Sequence, residues 1–257
     1  MSGRKSTKRI GSYEFIGEEP LSIRIDDKPY AVVMRTPGEE VAHAAGFCLA
    51  EGIVDSPDDF KTVGYDEQAD PNVIDVWLKP ERREKVREHL RRRVYTSQTS
   101  CGICGKEMIE DLKQILAPVE NGFEIGIDQI RGCIDKLSDA QKHYQTTRSS
   151  HAALILDERL ERVSFAEDVG RHNSLDKAVG RAFMDRTLPQ ARVAVLSSRN
   201  SYELVQKAAR ARLPVMISVS RTTALAVEMG RELNMTLVFP GKSDLVVVCG
   251  EHRVKRG

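Results

Sequence analysis

The sequence predicts an α/β protein built on a layered mixed sheet, with a smaller α/β lobe ahead of it. Two observations carry this. From His151 onward, short apolar runs of strand length alternate regularly with segments of helical period. Ahead of them, residues 19–95 hold a hairpin pattern, a helix pattern and a further strand–helix pair. Such alternation implies crossovers and helices layered on a sheet.

The elements follow in chain order. Residues 1–18 are polar and basic without a period, and read as a flexible tail. Leu21–Ile25 and Tyr30–Arg35 alternate around Asp26-Asp27-Lys28-Pro29, a hairpin. Thr36-Pro37-Gly38-Glu39 has the form of a capping box with proline at the first helical position; its helix should run to about Glu51 and stop at Gly52. Val73–Leu78 reads as a strand. Pro80–Arg93 reads as a charged helix with a thin apolar side at Val86 and Leu90, its arginines on a solvated face with Glu81, Glu84 and Glu88. Helices are expected at Lys106–Leu116 and Ile127–Tyr144. Then come strands at Ala152–Leu156 and Leu160–Ala166, a helix at Asn173–Phe183, a strand at Arg192–Leu196 and a helix at Tyr202–Arg212. A strand at Pro214–Val219, a helix at Ala224–Leu233, and strands at Thr236–Phe239 and Leu245–Val248 complete the pattern. Residues 19–250 form one domain in this reading, divisible into lobes 19–95 and 96–250, and 251–257 is a second tail.

Composition narrows the function classes. Lys plus Arg is 39 and Asp plus Glu 38, so the net charge of +1 makes no global case for nucleic acid or a membrane surface. No apolar run approaches the roughly 20 residues of a membrane span. The basic N-terminus lacks a following apolar core, so no signal peptide is expected. The 5 cysteines are odd in number, and reduced thiols in the cytoplasm are expected. Cys48 and Cys249 sit in apolar patterns and read as small buried hydrophobes, while Cys133 is ambiguous.

Four segments have side chains that packing does not require. Cys101-Gly102-Ile103-Cys104-Gly105 precedes an expected helix. A helix N-terminus favours thiolate, the form that attacks sulfur or binds metal. Three readings stay open: a sulfur-handling nucleophile, half of a zinc site, or a redox or inert pair. No second Cys-x-x-Cys exists, and the zinc deaminase pattern is missing its His-x-Glu, with Ser100 in place of its proline. The second segment, Glu167-Asp168-Val169-Gly170-Arg171-His172-Asn173-Ser174-Leu175-Asp176-Lys177, joins a strand to a helix and concentrates ionisable groups where open α/β sheets bind ligands. In it His172 and Asp176 could pair, and Glu167 and Asp168 could hold Arg171 or His172; a capped helix with surface ion pairs is the plainer alternative. The third is a pair of similar joints, Ser197-Ser198-Arg199-Asn200-Ser201 and Ser220-Arg221-Thr222-Thr223, each with hydroxyls, a guanidinium and helix-terminal N–H groups suited to an anion. The fourth is Phe239-Pro240-Gly241-Lys242-Ser243-Asp244, a turn carrying one lysine.

Together these segments resemble the formate dehydrogenase accessory sulfurtransferase family, FdhD. The resemblance runs from Glu19 to about Cys249. It rests on Pro20-Leu21-Ser22-Ile23, Met34-Arg35-Thr36-Pro37-Gly38, Gly46-Phe47-Cys48-Leu49-Ala50-Glu51-Gly52, the Cys-Gly-Ile-Cys element, Glu-Asp-Val-Gly-Arg-His-Asn with Asp176-Lys177, and Ser197-Ser198-Arg199 with Ser201, Glu203 and Lys207. The chain departs from the family pattern at Arg148-Ser149-Ser150, Ser198, Arg221-Thr222-Thr223 and Gly241-Lys242.

The resemblance implies a cytidine-deaminase-like fold without the deaminase zinc, so no structural metal. It implies a sulfurtransferase acting through a cysteine persulfide. A cysteine desulfurase would load Cys101, with Cys104 as second thiol. The sulfur would pass to the molybdenum of a bis(molybdopterin guanine dinucleotide) cofactor bound as substrate, for the formate dehydrogenase catalytic subunit. Phe239–Asp244 would contact that cofactor; Arg171, His172, Ser198 and Arg199 are the further candidates to bind it, and a guanine nucleotide could mimic it. A cytoplasmic homodimer is implied. The other readings are a zinc-dependent nucleoside or base hydrolase of the same fold, and a non-catalytic chaperone for the molybdenum cofactor.

Overall fold

A computed structural model describes residues 5–64, 70–93 and 116–255. The first described segment departs from expectation. Strands β1 (Thr7–Ile10) and β2 (Tyr13–Ile16) pair as an antiparallel hairpin in the stretch that reads as a tail. Its alternation is masked in the sequence because most of its side chains, apolar ones included, are exposed.

The N-terminal lobe is a four-stranded sheet in the order β4-β3-β6-β5. Here β3 is Glu19–Ile25, β4 Lys28–Arg35, β5 Phe60–Gly64 and β6 Val73–Leu78. Asp26 and Asp27 turn the expected hairpin with positive φ of 47° and 66°, the conformation a tight two-residue turn requires. Leu21, Ile23, Ile25, Ile74, Val76 and Leu78 line the inner face, against helix α1 (Glu40–Ala50).

The capping box expected at Thr36 does not form. The N-cap of α1 is Glu39, in the left-handed region with φ 62°, and no side chain caps it. Thr36 is buried and engaged elsewhere, as described below. The stop at Gly52 is as expected, with φ 73°. Helix α2 (Pro80–Arg93) has the expected bounds, but Arg82 is buried rather than solvated. It donates to Ile53 O (2.6 Å) and Gly52 O (2.8 Å) and pairs with Asp55, tying α2 to the end of α1.

The larger layer is a six-stranded mixed sheet in the order β13-β12-β11-β10-β8-β9. Its strands are β8 (His151–Asp157), β9 (Arg162–Asp168), β10 (Ala191–Leu196), β11 (Val215–Ser218), β12 (Thr236–Pro240) and β13 (Leu245–Cys249). β10, β11 and β12 are parallel; β8 runs against both β9 and β10, and β13 against β12. Strand period divides the core in two. Ala153, Ile155, Ala194, Leu196, Met216 and Leu237 face one way, packing with α1, α5 (Arg171–Met184), α6 (Tyr202–Arg210) and α7 (Ala224–Glu232). Ala152, Leu154, Leu156, Val193, Val195, Val215, Ile217 and Val238 face the other way, onto α3 (Ile127–Ala140). The first of these clusters also contains the inner face of the N-terminal sheet, so one continuous core joins the two lobes.

The expected helix over 127–144 is two helices. It breaks at Gln141, and α4 (Lys142–Thr147) follows. The expected C-terminal tail is also docked. β14 (Val254–Lys255) pairs in parallel with β7 (Ile125–Gly126), and Arg253 is buried. The Arg253 side chain donates to Glu120 O (3.0 Å) and approaches Thr236 Oγ1 (3.4 Å). The helix expected over 106–116 lies outside the described residues apart from its last residue, Leu116, which packs on the core.

Candidate functional site

The register of the six-stranded sheet brings the separate sequence segments to one edge. Asp168 at the end of β9 stands opposite His151 at the start of β8. Leu196 at the end of β10 pairs with Ala153 and with Ser218, and Ile217 pairs with Val238 near the end of β12. The Arg171–His172 joint, His151, Ser197–Ser198–Arg199, Ser220–Arg221 and the 239–244 loop therefore follow one another along this edge. At about 4.8 Å per strand, the four steps from β9 to β12 span about 19 Å. The edge is long enough for an extended ligand but separates His172 from Lys242.

Beneath the edge lies a buried ionic framework. Asp168 is fully buried. It accepts from Thr36 N (3.0 Å), Gly170 N (2.8 Å) and Asn173 Nδ2 (2.9 Å), and Lys177 Nζ lies 2.6 Å away. Thr36 Oγ1 accepts from Val169 N (3.0 Å), and Thr36 O from Lys177 (2.7 Å). Burial lowers the Lys177 pKa, opposed by Asp168. The Glu-Asp-Val-Gly-Arg-His-Asn string is thus partly a structural clasp, locking the β9–α5 joint onto the strand end ahead of α1. Glu167 does not hold Arg171 or His172. It accepts from His143 N (2.8 Å), Tyr144 N (2.9 Å) and Ser150 Oγ (2.8 Å), anchoring the start of α4.

His172 and Asp176 do not pair with each other. Each reaches across to α6: His172 Nε2 lies 2.8 Å from Glu203 Oε2, and both Asp176 oxygens accept from Lys207 Nζ at 2.8 Å. The members stand four positions apart on each helix, so the pairs form a two-rung ladder, with the carboxylate on α6 in one rung and on α5 in the other. Close approach of the His172 ring holds the Glu203 carboxyl below its usual value. Burial pushes Asp176 upward against the pull of Lys207. Sequence reasoning left Glu203 and Lys207 without roles because their partners are about 30 residues away in the chain; the shared spacing of four was the available signal.

The exposed members of the edge have unmet bonding capacity. Among the described residues, no carboxylate pairs with Arg199, Arg221 or Lys242, all exposed. Arg171 Nε, Asn200 Oδ1 and Ser201 Oγ are buried atoms without a hydrogen-bond partner among the described residues. Neither α5 nor α6 has a side-chain N-cap. Helix-terminal N–H groups and guanidinium groups together suit anionic ligands. Ser198 is mostly buried and donates to Arg199 O (3.2 Å). His151 Nδ1 lies 3.4 Å from Ser197 Oγ, and burial, with Arg171 and His172 adding to it, lowers its pKa.

In the 239–244 loop, Gly241 N donates to Asp244 O (2.6 Å), and Asp244 pairs with Arg131 of α3 at 2.8 Å. Residues 240–245 line a cleft of about 430 Å³ with Arg131, Ile134 and Asp135. A larger cleft of about 710 Å³ opens at the opposite edge of the sheet. Three of its arginines, Arg186, Arg210 and Arg212, face Asp58, Asp55 and Glu120, so its charge is largely compensated.

Cys101 and Cys104 lie outside the described residues. The other three cysteines are buried. Burial pushes up the Cys48 thiol, and raises Cys133 and Cys249 to about 11 each. These are poor nucleophiles at neutral pH. Among the described residues, no three His, Cys, Asp or Glu side chains gather as metal ligands, and no helix is long and apolar enough to cross a membrane.

Comparison with known proteins gives a consistent picture. Residues 16–255 match the FdhD/NarQ family. The sulfur carrier protein FdhD of Streptomyces avermitilis is 38% identical over 252 residues, covering 93% of this chain and 88% of that one. Its counterpart in Xanthomonas campestris pv. campestris is 34% identical over 241 residues, covering 93% and 85%. The fold matches the crystal structure of a protein named as a formate dehydrogenase accessory protein, from Desulfotalea psychrophila. The TM-score is 0.74 at 19% identity, covering 98% of this chain and 97% of that one.

Proposed function

The chain belongs to the FdhD/NarQ family, and on that premise we propose that it is a sulfur carrier in formate dehydrogenase maturation, working through a persulfide on Cys101. The observation that carries the chemistry is the burial of Cys48, Cys133 and Cys249, which leaves Cys101 and Cys104 as the thiols for sulfur transfer. In the loading step the Cys101 thiolate attacks the outer sulfur of a desulfurase persulfide. A new S–S bond forms, the donor's S–S bond breaks, and the desulfurase thiolate leaves. Cys104 is a second thiol able to assist the onward transfer.

The acceptor in this reading is the molybdenum of a bis(molybdopterin guanine dinucleotide) cofactor, bound as substrate along the edge from Arg171 and His172 through Ser198 and Arg199 to Phe239–Asp244. The uncapped helix starts, with Arg171 Nε, Ser201 Oγ, Arg199, Arg221 and Lys242 lacking partners among the described residues, support an anionic, extended ligand there. The reading includes the cytoplasm as compartment, a homodimer, a desulfurase and the formate dehydrogenase catalytic subunit as partners, and a cytidine-deaminase-like arrangement of the six-stranded sheet.

The test is intact-mass spectrometry after incubation with a desulfurase and cysteine. One added sulfur, about 32 Da, should map to Cys101 and be absent from Cys101→Ala. Full loading of Cys101→Ala would end the proposal.

A further inference from the structure

The two rungs between α5 and α6 differ in what they can do. Asp176–Lys207 is the more enclosed rung and serves packing: Asp176 is buried, and Lys207 also sets its ammonium over the Phe47 ring at 5.6 Å. His172–Glu203 is not sealed. Its side chains retain 29% and 35% of their exposure, and the pair stands at the mouth where the β9–α5 and β10–α6 joints meet. Glu203 faces Nε2, which leaves Nδ1 as the ring nitrogen available to a ligand. A carboxylate on one imidazole nitrogen selects the tautomer and fixes the ring plane, so the other nitrogen meets its partner in one defined form.

We propose that Glu203 is a positioning residue for ligand binding, acting through His172 by fixing its ring orientation and the nitrogen that carries the proton. The proposal rests on the reading of this edge as the cofactor site and adds a residue to it. Lys207, one turn beyond Glu203 on α6, holds the helix in place through Asp176, so the upper rung is set on a buried support.

A double-mutant cycle on the full chain tests it, with GDP as the probe in calorimetric titration. Glu203→Ala should weaken GDP binding about tenfold, His172→Ala at least as much, and Glu203→Ala should add no further loss once His172 is gone. In 15N spectra, His172 should show a single tautomer protonated at Nε2. Glu203→Ala should mix the tautomers, and Glu203→Gln, which keeps an acceptor, should restore the single form. An effect exerted only on helix packing would leave the tautomer unchanged and the losses additive. That result, with GDP still binding the unmodified protein, would overturn the inference and leave the edge reading standing. Absence of GDP binding to the unmodified protein would overturn both.

Discussion

Gly46 of α1 and Gly180 of α5 meet where the two helices cross. A Cβ on Gly46 would stand 1.9 Å from Asp176 O, and one on Gly180 would stand 1.8 Å from Ala42 O. Both neighbours are backbone, so no side chain can turn aside. This crossing brings the N-terminal lobe against the helix that carries His172, Asp176 and Lys177. Gly180→Ala must push the helices apart. It should destabilise the protein by about 3 kcal/mol in chemical denaturation, the upper part of the range for overpacking. An unchanged midpoint would show that the crossing can relax.

The clasp at Asp168 is asymmetric, and its variants should differ accordingly. Lys177→Met removes one partner but leaves Asp168 with Thr36 N, Gly170 N and Asn173 Nδ2 as donors. Asp168→Ala leaves Lys177 buried with Thr36 O as its remaining hydrogen-bond acceptor among the described residues. Removing either partner leaves a buried charge uncompensated, at a cost of about 3–5 kcal/mol, but Asp168→Ala also leaves three donors without their acceptor, at about 1–3 kcal/mol each. Equilibrium unfolding should therefore rank Asp168→Ala below Lys177→Met. Equal losses would mean that the carboxylate and ammonium matter only as a pair.

How far the sequence reveals this site follows from which interactions are local. Strand and helix patterns place β3, β4, β6, α2 and the β8–β13 run within a few residues of their observed bounds, because β3, β6 and α2 bury one face and the central strands of the larger sheet are apolar on both. The 7–16 hairpin escapes that logic, since its apolar residues Ile10, Tyr13 and Phe15 are exposed. The capping box at Thr36 fits the local pattern but yields to a partner 132 residues away, Asp168. For the same reason the sequence suggests a His172–Asp176 pair: spacing reports neighbours on one helix and is silent about the helix alongside. Chemistry at the strand ends was legible as residue type, and the order of those ends along one edge came only from the sheet register.

His43 makes stability depend on pH. It is fully buried in α1. Burial, then Lys177, Lys207 and Arg35, hold its imidazole well below 6.5, with Asn173 pulling the other way. The unfolded chain therefore binds a proton below about pH 6.5 that the folded protein refuses, so stability falls as pH falls from there toward the folded value. One such group changes stability by about 1.4 kcal/mol per pH unit at most. His151, also lowered, adds in the same direction. Asp176, raised by burial, acts oppositely from the ordinary carboxylate value upward. His43→Gln should flatten the stability profile between about pH 6.5 and 5.5. An unchanged slope would assign it to other groups.

Thiol accessibility gives the most direct check on which cysteines can carry sulfur. Cys48 is fully buried in α1 against the core, Cys133 sits under the sheet in α3, and Cys249 ends β13 beside Gly230, where a Cβ would lie 2.9 Å from its sulfur. Alkylation requires both access and thiolate, and burial denies these three the first while raising their pKa values denies them the second. Brief iodoacetamide treatment of the native protein at pH 7.5, followed by peptide mapping, should label Cys101 and Cys104 and spare the other three. Unfolding in urea should expose all 5. Preloading with a desulfurase should then leave the label pattern of Cys48, Cys133 and Cys249 unchanged and place the extra sulfur on the Cys-Gly-Ile-Cys peptide. Native labelling of Cys249 or Cys48 at a rate near that of a free thiol would contradict the burial that assigns the sulfur chemistry to the Cys101–Cys104 element.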